Sequence, residues 1–458
     1  MESLWKDTSE LTAFPELEET IQTDVLIIGG GIAGILCAWE LKRRGIDYVL
    51  VEADRICSGV TAGTTAKITA QHGLLYEKLL RRFGTEGARE SYRANQYAVG
   101  WYRELCAKID CDFQNEDSFL YCCEDPEALD LEMDALERIG AKAEWLGSLP
   151  LPFPVTGAIR FPEQGRFHPL KFLGTISEEL RIYEHTKVIS FDGKRYLTAK
   201  GSITAQRTVV ATHFPMWNKM GLFPLKLYQD RSYVLGLKNA GRIPGMYLGT
   251  DAERLSFRME DELLLLGGGS GRTGSKGGGW EALERSARAY FPKADIRYRW
   301  AAQDCMSLDG MPYVGQYSPK HAGLYVVTGF NKWGMTGSMT AAMVLGDLLQ
   351  GKENGLAELY APSRRILRPQ LGVNLASSVW NLLRPAQPRC PHLGCALKWN
   401  SQEKSWDCPC HGSRFSGEGK LLDNPATGDL KPGNTCSLVN DVRPRKCERV
   451  SRLGRRFC

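Results

Sequence analysis

Four side chains near residue 400 carry the most specific chemistry in the sequence. Cys390-Pro391-His392 and Cys408-Pro409-Cys410-His411 make a C-x-H and a C-x-x-H pair separated by fifteen residues. Two thiolates suit one iron, and two neutral imidazoles suit another. Such a centre carries less negative charge than an all-thiolate one and has a higher reduction potential. The same four ligands also satisfy a single tetrahedral zinc, so ligand type alone leaves both metals open.

A second constellation lies near the N-terminus. Gly29-x-Gly31-x-x-Gly34 follows the apolar run 24–28 and opens an apolar-periodic stretch that Gly45 closes, before Tyr48-Val49-Leu50-Val51-Glu52. That order reads as strand, tight turn, helix, strand. Gly29 permits the turn, Gly31 lets backbone approach a pyrophosphate, and Gly34 lets helix and strand pack closely. Glu52 ends the second strand 18 residues after Gly34, placed to accept both hydroxyls of an adenosine ribose. An acid there disfavours a 2′-phosphate.

Elements must position these groups, and the chain has room for them. With 458 residues and 43% hydrophobic content, two or three domains are expected. The stretch 74–109 reads as helices broken at Gly84 and again near Gly100, and 114–320 as alternating strands and shorter helices. The glycine-rich piece 267–279 reads as a loop. Leu324-Tyr325-Val326-Val327-Thr328 is a buried strand leading through Gly329 into a helix that starts near Thr336. A sheet assembled from both ends of the first 350 residues, with an inserted middle domain, fits this layout. Proline-punctuated 355–384 reads as a connector, leaving a C-terminal domain too small to be stable on apolar burial alone without a metal centre.

Charge and targeting signals are sparse. The formal net charge of +5 equals that of residues 441–458 alone, where seven Lys and Arg face two acids. This basic end reads as a solvated tail or as a dock for an acidic partner; nothing else points to nucleic acid. The N-terminus lacks a basic start and apolar run, and no stretch of about 18 apolar residues occurs, so a cytoplasmic protein without a transmembrane segment is expected. The fourteen cysteines are scattered, unlike a secreted disulfide framework.

The region 20–350 resembles the amine and D-amino-acid oxidase-like family of FAD enzymes. The resemblance implies FAD bound by an α/β Rossmann-like domain (20–110 and 300–354) with an inserted α+β substrate-side part (111–299). Its small-residue segment along the flavin is matched by Ser58 through Ala66, including Thr64 and Thr65. Its late return is matched by Asp309-Gly310-Met311-Pro312 and by Gly329 through Gly337, with Gly334, Met335 and Thr336 at the helix start facing the flavin pyrimidine. Lys332 is a candidate for stabilising reduced flavin, or else an exposed loop lysine. Carboxylate-binding members carry an arginine five residues before the aspartate of Asp-Gly-x-Pro, where this chain has Asp304. That departure favours a cationic amine substrate over an amino acid, unless Asp304 is an ordinary loop carboxylate. Arg231, Tyr233 and Arg258 are further pocket candidates.

The segments Cys390–His392 through Cys395 and Cys408 through Phe415 closely resemble the two loops of Rieske proteins. The resemblance implies a small all-β [2Fe-2S] domain over 385–445, followed by the basic tail 446–458. Cys390, His392, Cys408 and His411 are then the metal ligands, with a disulfide between Cys395 and Cys410 or free thiols in a reducing compartment. Cys436, Cys447 and Cys458 have no assigned role. A Rieske oxygenase would need a mononuclear iron held by paired histidines, and the remaining five histidines are unpaired. The expected function is oxidation of a C–N bond by FAD, with electrons passed through the cluster to an external acceptor. The alternative is an electron-transfer or redox-sensing module acting on a protein partner.

Overall fold

The structure is a computed structural model that describes residues 3–253, 255–275, 278–385 and 388–431. The basic tail and the last three cysteines lie outside the described residues.

The centre of the first sheet is built from β-branched runs buried on both faces, Val25 to Ile28, Tyr48 to Val51, Thr208 to Val210 and Val326 to Thr328, which is why these stretches are almost wholly apolar, whereas the first half of Thr20–Ile28 alternates buried and exposed. Thr20–Ile28 runs parallel to Tyr48–Val51 on one side and to Ser202–Val210 on the other. Leu324–Thr328 lies parallel beyond Ser202–Val210. Strands from both ends of the chain therefore share this sheet, as expected, but Ser202–Val210 comes from the middle and separates them. The middle of the chain is thus not a contiguous insertion.

Helix Ile32–Arg43 packs across the sheet against helix Gly334–Leu349. The two are pinned by Arg44, which donates to Glu40 at 2.6 Å and to Asp347 at 2.7 Å. Helix Gly334–Leu349 begins two residues before Thr336. The long helix Tyr76–Cys106 kinks at Gly84, where φ is 70°, and runs on unbroken through Gly100. Its N-terminus is capped by the buried carboxylate of Glu132, which accepts from the amides of Leu75, Tyr76 and Glu77.

A second, largely antiparallel nine-stranded sheet stands beside the first. In it the strand Leu263–Arg272 passes straight through the glycine run expected to be a loop, pairing Gly267 with Val234 and Gly268 with Tyr233. Glycine serves here because a Cβ on Gly268 would lie 2.9 Å from Leu255 and 3.0 Å from Leu283. The expected connector holds a 15-residue helix, Pro369–Leu383. Beyond it, four short strands make an antiparallel meander whose small core is half cysteine: Cys390, Cys395, Cys408 and Cys410 pack with Leu397, Phe415, Ala426 and Leu430.

The tightest constraint of the first sheet is at Gly34, where a Cβ would sit 1.9 Å from the carbonyl oxygen of Gly29. Gly34→Ala is expected to push helix off strand, cost about 3 kcal/mol or more, and yield protein with little of the dinucleotide expected at this turn. Thermal unfolding and the visible spectrum of the purified variant check this.

Candidate functional site

The turn after the first strand is held ready for an anion. Gly29 has φ 113° and a Cβ there would meet Ala211 O at 2.5 Å, so only glycine fits. Thr61 Oγ1 accepts from the amide of Ile32 at 3.1 Å, and Gly31 is the N-cap of the following helix. Glu52 sits at the mouth of this turn, accepting from Gly30 N at 2.6 Å and from Asp54 N at 3.0 Å. All four lie beside one cavity of about 1080 Å³, whose walls include Gly29, Gly31 and Glu52. That is the upper end of the roughly 300–1,000 Å³ usual for small-molecule sites, which leaves room for a dinucleotide and a substrate together.

The remaining flavin-side residues line the same cavity: Thr64, Thr65, Gly329, Gly334, Met335 and Thr336. Indole N–H groups hold the 63–65 backbone by its carbonyls, Trp5 at Thr64 and Trp300 at Gly63. Thr336 Oγ1 contacts His72 Nε2 at 2.9 Å, and the His72 ring stacks on Trp333. Asp309 is spent on structure, taking a bidentate Arg364 at 2.8 Å that shapes the loop behind Gly310.

Lys332 and Asp304 meet in the cavity wall as parts of one charge cluster. Lys332 Nζ lies 3.0 Å from Asp230 Oδ2, and Asp230 is directly paired across the sheet with Asp304. The Lys332 charge is therefore already balanced by a carboxylate. Burial pushes the Asp304 carboxyl up to about 6, with Lys332 opposing and Asp230 adding to the rise. Tyr233 also lines the cavity, whereas Arg231 and Arg258 do not. Arg231 and the Tyr233 hydroxyl both engage Glu403 of the C-terminal meander, and Arg258 lies beneath the site, donating to the carbonyl of Thr65.

Sequence reading missed Lys67. It lines the cavity with Nζ donating to Tyr247 O at 2.7 Å and Ser256 Oγ at 2.5 Å. Burial, and to a lesser degree Arg258, bring its ammonium down to about 7. Its one signal was position, directly after the small-residue run 58–66; its burial is set by distant strands.

The metal-type ligands come together in the meander. His392 and His411 stand with ring centroids 5.1 Å apart, and the Nδ1 of each is buried with no hydrogen-bond partner. A buried imidazole nitrogen without a partner is costly, and metal ligation is the natural way to satisfy it. The sulfur atoms of Cys395, Cys408 and Cys410 lie within 4.8 Å of one another. Cys395 and Cys410 are free thiols in the structure, so the expected bridge is not formed. Nε2 of His392 is 3.0 Å from Asn218 Oδ1, in the oxidoreductase part of the chain.

The two sites share a wall. On the strand Asp295–Ser307, Ala302, Asp304 and Met306 line the cavity, while Gln303 points the other way and donates to Gly412 O at 2.8 Å. On the neighbouring strand Leu227–Lys238, Tyr228 and Ser232 line the cavity, while Gln229 donates to His411 O at 3.0 Å. Alternation along a strand sends successive side chains to opposite faces, so these two strands carry cavity-lining groups next to groups that hold the metal-type loops, and the C-terminal meander itself reaches the cavity at Leu421 to Asn424.

Comparison with known proteins fits this geometry. The model of the FAD dependent oxidoreductase family (DAO) matches residues 24–348, and that of the Rieske [2Fe-2S] domain matches 378–434. The chain belongs to the FAD dependent oxidoreductase family. It is an FAD enzyme of the amine and amino-acid oxidase type that also carries a Rieske [2Fe-2S] domain. A Bacillus subtilis (strain 168) protein named for a Rieske 2Fe-2S iron–sulfur centre, YhfW, is 34% identical over 94% of this chain and 97% of its own length. Gamma-glutamylputrescine oxidoreductase of Escherichia coli (strain K12) is 25% identical over 74% of this chain and 86% of its own. Glycine oxidase from Geobacillus kaustophilus shares the fold, with a TM-score of 0.64 at 20% identity, covering 75% of this chain and 99% of that one. No helix among the described residues is long and apolar enough to cross a membrane.

Because the Lys67 ammonium loses its proton near pH 7, this oxidoreductase is expected to hold a carboxylate such as benzoate more tightly below pH 7 than above it. The flavin difference spectrum, titrated with benzoate from pH 6 to 8, should show an inflexion near 7 that Lys67→Met removes. An unchanged profile in the variant would show that Lys67 does not set the cavity's charge.

Proposed function

We propose that this protein oxidises a C–N bond of an amine-like substrate and passes the electrons from FAD through the Rieske cluster to an external one-electron acceptor. The observation that carries this reading is the shared wall: the same two strands line the cavity with Tyr228 and Asp304 and hold the cluster loops with Gln229 and Gln303, and the C-terminal meander itself borders the cavity at Leu421 to Asn424. The relative named as gamma-glutamylputrescine oxidoreductase supports an amine as the substrate class. When bound, the flavin supplies two-electron oxidation and the cluster supplies one-electron transfer.

The chain's own residues have the following roles in this proposal. Gly29 makes the turn and Gly31 opens the backbone to the pyrophosphate, Gly34 seats the helix on the strand behind them, Glu52 takes the ribose, and Thr64, Thr65, Gly329, Gly334, Met335 and Thr336 bed the ring. Cys390 and Cys408 hold one iron, and His392 and His411 hold the other through Nδ1. We divide the chain accordingly into an oxidoreductase domain over 20–354 and a Rieske domain from 385, joined by 355–384. Asp304 binds the substrate ammonium, and Lys332 pairs with Asp230 so that the two acids do not compete for it. The Lys67 end of the cavity lies elsewhere: Ser256, its partner, is three strands removed from that of Asp304, or about 14 Å at about 4.8 Å per strand. An extended substrate with its amine at the Asp304 end suits that separation.

Anaerobic titration with a panel of primary and secondary amines should bleach the flavin and then develop the electron paramagnetic resonance signal of the reduced cluster. Bleaching by no amine in the panel would overturn the substrate class, and bleaching without any cluster signal would overturn the circuit. Since the Asp304 carboxyl ionises near 6 and an aliphatic ammonium stays charged to about pH 10, kcat/KM for a cationic amine should rise as pH is raised through 6. Asp304→Asn should abolish that rise and increase KM about tenfold or more, as loss of a charge-assisted hydrogen bond implies.

A further inference from the structure

The helix Pro369–Leu383 is amphipathic in the inverted sense. Its polar face is inside: Asn374 and Asn381, only 4% and 3% exposed, lie one above the other two turns apart. Asn374 Oδ1 accepts from Arg272 at 2.8 Å, and Arg272 also donates to the carbonyls of Pro409 and Cys410. Ala396 N donates to Asn381 O at 2.9 Å, so the helix grips both cluster loops with its polar side. Its apolar side faces out. Val373, Leu375, Val379, Trp380, Leu382 and Leu383 are all exposed, Trp380 by 72% and Leu383 by 77%. The patch continues onto the first cluster loop, where Leu393 is exposed and Gly394 lies beside Leu382.

Charge identifies what covers this face. From 359 to 402 the sequence has no Asp or Glu but carries Arg364, Arg365, Arg368, Arg384, Arg389 and Lys398. Arg364 is consumed by Asp309, while Arg365 and Arg384 are exposed at the two ends of the helix. An apolar face with a tryptophan, flanked by Arg365 and Arg384 and set in a segment with no acidic residue from 359 to 402, matches a helix lying in the plane of an anionic lipid surface. Its 15 residues make about 22 Å at about 1.5 Å per residue, a length for lying in the interface rather than crossing it.

We propose that the outer face of Pro369–Leu383 docks this protein on anionic membranes, with the cluster loops held against the helix's other side, within one helix diameter of about 10 Å from the lipid. This docking is independent of the substrate assigned above. It is tested by co-sedimenting the full-length holoprotein with phosphatidylcholine vesicles and with vesicles containing equal parts of phosphatidylglycerol. The expected result is sedimentation with the anionic vesicles only, reduced about tenfold by the double change Val379→Glu and Leu383→Glu. The variant's flavin and cluster absorbance and its thermal unfolding should match those of the parent. No binding to anionic vesicles overturns the proposal. So does equal binding by the double variant, which would assign any attraction to charge elsewhere, such as the basic residues of 441–458. Dimerisation in light scattering that the double variant abolishes, without vesicle binding, would assign the face to a second copy instead.

Discussion

The organisation of this protein depends on one wall of two β-strands with different chemistry on its two faces. Alternation obliges each second side chain to cross the sheet, so the residues that shape the cavity and those that hold the metal-binding meander are interleaved along the same short stretches. Asp304 and Gln303 are neighbours in sequence, yet one faces the cavity and the other donates to Gly412 O. The seam is a closed amide network: Gln303 also donates to Gln229, which donates to His411 O and to Asn424 O at 2.7 Å. Buried amides are tolerated only when satisfied, and here each is satisfied by a backbone group of the cluster domain. Gly412 is glycine for the same reason, since a Cβ would stand 2.5 Å from that of Gln229.

Charge is handled differently on the two faces. Towards the cluster domain, the buried Arg414 is surrounded by Glu403, Asp407 and Asp423, and Arg231 reaches the same Glu403 from the oxidoreductase side. Each of those three carboxylates is engaged by a guanidinium. On the cavity face Lys332 is shared between two acids, and Asp304 remains the less compensated one, which is why burial raises it. Its folded state binds a proton more readily than the unfolded chain, so its contribution to stability is present below the ordinary carboxylate range and is lost as pH rises through about 6. A carboxylate held at some cost to stability beside an open cavity is suited to meeting a cation that the protein itself does not supply.

Much of this was legible in the sequence because two signatures depend on local spacing. Gly29, Gly31, Gly34 and Glu52 sit on one strand–turn–helix–strand unit, and the two Cys/His loops lie fifteen residues apart. What was not legible depends on distant pairing. The glycines at 267–269 suggest a loop in isolation, but the two strands on either side draw Gly267 and Gly268 into the sheet, and only Gly269, with φ 58°, departs from it at a bulge. Arg231 and Arg258 have side chains suited to a substrate pocket, and only tertiary register sends the first to Glu403 and the second beneath Thr65. Lys67 is the converse case, unremarked among small residues until Ser256 and Tyr247 close around it. The prolines of the connector surround a short amphipathic stretch, and the structure makes that stretch a helix with Pro369 at its start, the position in which proline is best tolerated.

The orientation of the metal-type loops gives the centre an inner and an outer side. His411 is buried, and His392 places its outer nitrogen on Asn218, so the imidazole edge of the centre rests on the chain's own segment 212–226. Phe214 packs on the His392 ring, and the adjacent His213 lines the cavity. The imidazole side is therefore the inward side, facing the flavin cavity. On the other side, the first loop offers Pro391 and Leu393 at the surface, continuous with the apolar helix, where the proposed acceptor would approach. Entry through the histidines and exit past Leu393 would give the centre two distinct faces, which a relay requires and a terminal store of electrons does not.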